Sequence, residues 1–523
     1  METLKSISHH NMGSGPVFVG IALILGTYMA FRRRSTIRNI PGPPSPSWIF
    51  GNMRQLLLSR EYGDYEFQWQ RLYGPVYRVK GCFGQDRLIV ADPLALQHVL
   101  NSPFFEHGPT LDNAVSLLFD ESCLMAAKGI YVVFAEFSVL MRTMHVGFTA
   151  SVVQDYRPVF ERVAQAMTEQ FEKFSASPTD VCPTLSEATL NAISQAALGY
   201  STQELGKEFV SNNAQVMALA SSQSAAQIFA DAVVVRLPKW IWRAATRLPA
   251  ATLNTIRTAK YFTKELGEKV VAEKIDAARR GSTMEIDVFD MLCDSEKKAT
   301  LTSSEVIAQT GIILVAGQET TTNTLALGLV ELARHPKFQD ELRAEIHSSL
   351  GTVDYDNMPL LNAFIKETLR LYPSGAFQEK MATQDTVIPL ARAIRTRTGD
   401  HHITGAMRFP YFLCMLIIHD CRLEALWGED ACDFRPSRWL DGTTYQGHAL
   451  GPYANLLSFF GGPRVCLGWR FAILEMQVFF SELVGKFSFA VPEGGSIHTR
   501  LANTLMPAMP NGKKGAPLCI TRI

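Results

Sequence analysis

The sequence predicts a mainly α-helical protein carried on an amino-terminal membrane helix, and three observations predict it. Thr302-Ser-Ser-Glu305 has the form of a capping box and opens a long apolar segment that runs to about Arg334, where His335-Pro336 stops it. The residues from Trp469 to Val484 place apolar side chains at helical spacing. From Gly13 to Phe31 the chain is nearly uncharged and rich in Val, Ile, Leu and Phe, and Arg32, Arg33 and Arg34 follow at once. That is the pattern of a short membrane helix with a basic stop.

The amino-terminal third observation sets the expected organisation: a tail over 1–12, an anchor over 13–31, a basic stop and Pro-rich hinge over 32–46, and the remaining unit over 47–523. A cleaved signal peptide is the alternative to a retained anchor, but such a peptide carries its charges before the apolar run, and here the three arginines come after it. Positive charges that stay in the cytosol put the bulk of the chain on that side of the membrane. The stretch Ile40-Pro-Gly-Pro-Pro-Ser-Pro46 cannot continue a helix, because proline fixes the backbone and removes donors, so it spaces the unit from the bilayer. Across the 523 residues Lys plus Arg and Asp plus Glu both number 50, and this balance gives no sign of a nucleic-acid partner. The nine cysteines are scattered, without zinc spacing or a CxxC pair, which fits a reducing compartment.

One of those cysteines stands in a distinctive loop, Phe459-Phe-Gly-Gly-Pro-Arg-Val-Cys466-Leu-Gly468. Iron binds cysteine as the thiolate, so its loop has to supply partners for an anion, and free backbone amides at a helix start do that. Gly462 and Gly468 are expected to let the backbone turn tightly against a macrocycle, Arg464 to reach a propionate, and Phe459 to lay a flat apolar surface beside the sulfur. The bland alternative is a buried free cysteine. Phe-x-x-Gly-x-Arg-x-Cys-x-Gly resembles the haem-binding signature of the cytochrome P-450 superfamily, the haem-thiolate monooxygenases, and every fixed position of the pattern is filled. Several stretches are most similar to fungal microsomal members, among them Met381-Ala-Thr-Gln-Asp-Thr-Val-Ile-Pro389, which reads as a short strand and turn near the haem.

The resemblance implies a single mainly helical catalytic domain with small β-sheets, haem b held by Cys466 as axial ligand, and electrons from NADPH through a partner reductase in the same membrane. It implies an endoplasmic-reticulum protein, single-pass, with a cytosolic catalytic domain. In the middle of the long helix, Ala316-Gly-Gln-Glu-Thr-Thr321 interrupts an apolar run. By resemblance Glu319 and Thr320 are the acid and alcohol that relay protons for oxygen activation, and Ala316 and Gly317 leave room for oxygen and substrate; a Thr-rich solvated face is the alternative. Glu367 and Arg370 lie three apart on one helical face. With Arg438 of Phe434-Arg-Pro-Ser-Arg-Trp439 they match the family's buried triad, which fixes the segment leading to the cysteine. Arg142 matches a propionate partner, although Ser138 stands where the family has Trp or His.

Positions around Phe104 to Phe119, near Ala316, at Ser374 to Phe377 and at Thr504 to Met509 are expected to line a pocket for a hydrophobic small molecule. Fungal relatives suggest secondary metabolism and a terpenoid substrate. Two apolar runs, 130–140 and 405–418, depart from the family pattern, and either divergence or a translated intron or shifted reading frame accounts for them. Two further readings stand beside monooxygenation: a haem-thiolate isomerase or dehydratase, and a non-catalytic haem-binding or misspliced product.

Overall fold

The structure is a computed structural model that describes residues 36–119, 122–126, 141, 144–174, 177–280, 288–289, 302–349, 353–396, 399–401, 413–417, 422–442 and 450–523. The expected anchor at 13–31, Arg142, the run 130–140 and most of the run 405–418 lie outside the described residues. Among the described residues no helix is long and apolar enough to cross a membrane.

Helices dominate, and the long one forms the middle of the molecule. It spans Ser303–Arg334, and Thr302 caps it as its sequence requires: the Thr302 side chain accepts the Glu305 N–H while the Glu305 carboxylate accepts the Thr302 N–H. His335 ends it, and Pro336 then opens the next helix, Pro336–Ser348, because a proline at the first helical position forfeits no hydrogen bond. Four other helices surround the long one or its neighbours: Arg157–Phe171, Cys182–Leu198, Pro359–Leu371 and Trp469–Lys486. Their contacts are aromatic and close. Phe480 meets Phe364 edge-on at 4.7 Å between centroids, and Phe471 meets Phe160 at the same distance. Gly328 permits the first of these, since a Cβ there would lie 2.6 Å from the Phe480 ring.

A five-stranded sheet lies beside this core, in the order Val76–Lys80, Asp86–Val90, Leu413–Ile417, Phe377–Ala382, Phe105–His107. Leu413–Ile417 runs parallel to Asp86–Val90 and antiparallel to Phe377–Ala382, so the end of the anomalous 405–418 run is the middle strand of the sheet. The short strand expected over 381–389 begins earlier, at Phe377, and ends at Ala382. Its length follows its partner, since pairing with Phe105–His107 covers Lys380 to Ala382. Small sheets complete the fold, including the hairpin His498–Leu501 with Leu505–Ala508 near the carboxyl end.

Candidate functional site

Cys466 hangs from a loop held at both ends. Its N–H donates to the Phe459 carbonyl at 2.8 Å, and Val465 N–H donates to Gly462 O at 3.1 Å. The helix Trp469–Lys486 starts two residues beyond Leu467, with Gly468 as its cap. Burial pushes the Cys466 thiol up to about 11, and the Gly468 amide beside the sulfur works against that rise. A helix-start amide therefore faces the sulfur, as an anionic ligand requires. Phe459 is buried against Tyr453.

The two loop glycines do different things. Gly462 has φ +69°, and a Cβ would lie 2.6 Å from the Leu100 carbonyl oxygen, so only glycine fits. Gly468 differs from the expectation of a tight turn: its φ is −89°, and the nearest atom to a Cβ there is 3.8 Å away on Phe148.

Arg464 approaches a second cation that the sequence reading missed. Lys380 is buried on the strand Phe377–Ala382, and burial together with the Arg464 charge lowers its ammonium to about 8. Arg464 is itself held below its usual value by burial, against the opposing pull of Glu106 and Asp112. Like charges brought together in a protein interior are costly unless an anion lies near both. Two such cations beside a cysteine loop fit the carboxylates of a haem. The signal in sequence was faint: a lone Lys in an alternating strand is usually a solvated residue.

The triad is assembled as the resemblance implied. Glu367 and Arg370 are fully buried and Arg438 is 1% exposed. One Glu367 oxygen accepts Arg370 Nη2 at 2.8 Å, Arg438 Nε at 2.9 Å and the Arg435 N–H at 2.9 Å; the other accepts Arg370 Nε at 2.8 Å and Trp439 Nε1 at 2.9 Å. The arginines place further donors on carbonyls, including Arg370 Nη1 on Ala431 O at 2.6 Å and Arg438 Nη2 on Asp430 O at 3.0 Å, and Arg438 Nη1 also donates to the Asp430 carboxylate at 3.5 Å. Burial acts to raise the Glu367 carboxyl, but the Arg370 bonds and charge, with the Arg435 amide and Arg438, outweigh it and hold the group below its usual value.

On the long helix, Ala316 is exposed although both flanks of the helix are buried, and Thr320, one turn on, is half-buried. These two residues therefore share one open face. Thr320 Oγ1 donates to the Ala316 carbonyl at 2.8 Å, and Thr324 Oγ1 to that of Thr320 at 3.0 Å; the helix continues through both bonds. Glu319 is buried on another side, where Lys514 Nζ donates to its Oε1 at 2.7 Å, and among the described residues no hydrogen bond joins it to Thr320. Gly317 departs from the expected role of leaving room for oxygen and substrate. A Cβ there would lie 2.6 Å from Ile193, so its bare backbone serves the packing of Cys182–Leu198 on the long helix.

A pocket is lined by Leu118, Phe119 and Val315, the residue before Ala316, within stretches the sequence indicated. It is also lined by Phe209, Asn212, Asn213 and Val216 of the helix Lys207–Ser221, and by Ala259, Phe262 and Thr263 of Ala251–Arg279. Those two helices were not foreseen, because nothing local in their sequences distinguishes a pocket wall from an ordinary core face. Ser374 is pinned to the long helix by donating to Thr320 O at 3.1 Å.

The family model for cytochrome P450 matches residues 41–515. Similar curated proteins are fungal. Cytochrome P450 monooxygenase 219 of Postia placenta is 28% identical, over 89% of this chain and 91% of its own. Ganoderic acid synthetase of Ganoderma lucidum is 27% identical over 89% of this chain and 91% of its own. Cytochrome P450 monooxygenase claU of Ampulloclitocybe clavipes is 28% identical over 90% and 89%. With a family match across most of the length, and a cysteine loop, cation pair and buried triad that fit a haem, the chain belongs to the cytochrome P450 family, as a monooxygenase that uses haem iron and reductase-supplied electrons.

Proposed function

We propose that Cys466 would hold haem b through its thiolate and that the enzyme inserts one atom of dioxygen into a hydrophobic secondary metabolite of the terpenoid class. The Cys466 loop carries this reading, because the sulfur meets the amide of Gly468 at a helix start and Arg464 of the same loop lies close enough to Lys380 for the two charges to act on each other. Arg464 and Lys380 would hold the propionates, and the resemblance adds Arg142 as a further partner. The haem, once bound through a thiolate, supplies oxygen activation and O–O cleavage. The chain's own residues do the rest. Glu319 and Thr320 carry protons to the open face of the long helix at Ala316, Glu367 with Arg370 and Arg438 fixes the segment that positions the cysteine, and the pocket excludes water around an apolar substrate. The apolar character of Leu118, Phe119, Phe209 and Phe262 supports a hydrophobic substrate, and the likeness to a ganoderic acid synthetase supports the terpenoid class.

The arrangement over 13–34, an apolar run followed by three arginines, supports a single-pass anchor in the endoplasmic reticulum with the catalytic domain over 47–523 in the cytosol beside its reductase. The test is incubation of microsomes holding this chain and a fungal reductase with a panel of terpenoids, fatty acids and aromatic compounds. A product of one added oxygen atom from terpenoids, requiring both NADPH and dioxygen, is expected. Turnover without either reagent would instead establish an isomerase or dehydratase, and oxidation confined to the other compounds would remove the terpenoid assignment.

A further inference from the structure

The partner of Glu319 comes from the far end of the chain. Lys514 follows the hairpin strand Leu505–Ala508, in a turn fixed on several sides. Lys514 forms an antiparallel bridge with Ala508, and Gly515 N–H donates to Pro507 O at 3.1 Å. One oxygen of Asp180 accepts the Ala516 N–H at 2.8 Å and the Cys182 N–H at 3.0 Å, tying the same turn to the start of Cys182–Leu198.

From that turn Nζ reaches Glu319 Oε1 at 2.7 Å, with the two side chains 17% and 7% exposed. The same oxygen accepts Ser221 Oγ, at the last residue of Lys207–Ser221, and Asn323 Nδ2, each at 3.3 Å. Asn323 also donates to Thr504 Oγ1 at 2.9 Å. The other Glu319 oxygen has no hydrogen-bond partner among the described residues, nor has the Asn323 amide oxygen. A buried carboxylate with one oxygen triply bonded and the other unused is held on one side and available on the other.

We propose that Lys514 is a positioning residue: it latches the Glu319 carboxylate to the carboxyl-terminal turn and to the end of the helix Lys207–Ser221, and Glu319 serves Thr320 only by exchanging this partner. The inference rests on the proton-carrying role assigned above to Glu319. Ser221 gives the latch its reach, because the helix it ends also carries Phe209, Asn212, Asn213 and Val216 of the pocket wall. Movement of that helix with substrate is thereby coupled to the partner of Glu319. Without Lys514 the carboxylate loses the cation that holds it in place, and proton delivery no longer follows substrate.

The test uses the full chain in microsomes with its reductase, as wild type, Lys514→Met, Lys514→Arg, Glu319→Gln and the double variant Lys514→Met with Glu319→Gln. Lys514→Met is expected to keep haem and the thiolate spectrum while product formed per NADPH oxidised falls about tenfold. Lys514→Arg restores most of it. In the Glu319→Gln background the Lys514→Met change has no further effect, since the two residues act through one contact. Amide hydrogen exchange of purified protein is expected to quicken together at 505–516 and 214–222 in Lys514→Met. An equal loss of coupling in both backgrounds, or wild-type coupling in Lys514→Met, overturns the positioning role. Exchange needs no turnover, so unchanged exchange at both segments refutes the latch even where the monooxygenase reading stands, whereas an inactive wild type with normal exchange behaviour refutes that reading alone.

Discussion

Glu367 and Glu319 are both buried carboxylates in helices of one core, yet their surroundings are opposites. Both Glu367 oxygens are filled, by five donors from Arg370, Arg435, Arg438 and Trp439. Glu319 has three donors on one oxygen and none on the other among the described residues. The first network has every acceptor filled and so specifies a structure; the second keeps a spare buried acceptor and so has room to change partners. The carboxylate nearer the cysteine segment is locked, and the one on the long helix is held by one oxygen alone.

The largest expected effect comes from breaking the closed network. Glu367→Ala removes the carboxylate that the buried Arg370 and Arg438 share and leaves Arg438 only the longer Asp430 contacts at 3.5 Å, at a cost of about 3–5 kcal/mol, and haem incorporation measured by absorbance is expected to be lost. A Glu367→Ala protein with normal haem content would show the triad to be dispensable. The same carboxyl sharpens the contrast through pH. Its folded value lies below the unfolded one, so its contribution is fully present above the ordinary carboxylate range and is lost as the pH falls through the folded value. Chemical denaturation followed across acid pH is expected to show that decline in wild type and a shallower one in Glu367→Gln.

Glu319→Gln, on the open side, is expected to leave haem content and fold intact while slowing product formation by about 10²-fold and diverting NADPH to uncoupled consumption. Product and NADPH assays on the same sample check it, and unchanged coupling would remove Glu319 from proton delivery. The smallest effects separate the two glycines of the cysteine loop. Gly462→Ala, at positive φ against the Leu100 carbonyl, is expected to cost about 1–3 kcal/mol. Gly468→Ala is expected to stay within about 0.5 kcal/mol in the same thermal unfolding assay.

Local motifs were legible and long-range contacts were not. The capping box at Thr302 and Glu305 and the proline after His335 placed the long helix to within a residue, because caps act over three or four residues of sequence. The triad was readable because Glu367 and Arg370 share a helical face and Arg438 sits in a recognisable segment. Lys380 and Lys514 were missed, since each acquires meaning only from a partner 84 or 195 residues away. Gly317 misled because a small residue over a pocket and a small residue under a neighbouring helix look alike in sequence; Ile193 decides between them. The end of the 405–418 run looked aberrant because it lacks a period, yet Leu413–Ile417 is paired on both sides, and a middle strand is often a continuous apolar run. That pairing favours divergence over a shifted frame for this part of the chain.

Thiolate ligation by Cys466 is the claim on which the rest depends, and the reduced carbon monoxide difference spectrum of the full chain in microsomes tests it most directly. Wild type is expected to show the strongly red-shifted Soret band of a thiolate-ligated haem, and Cys466→Ala to lose it. Haem bound without that band in wild type, or a band that survives Cys466→Ala, would contradict that claim.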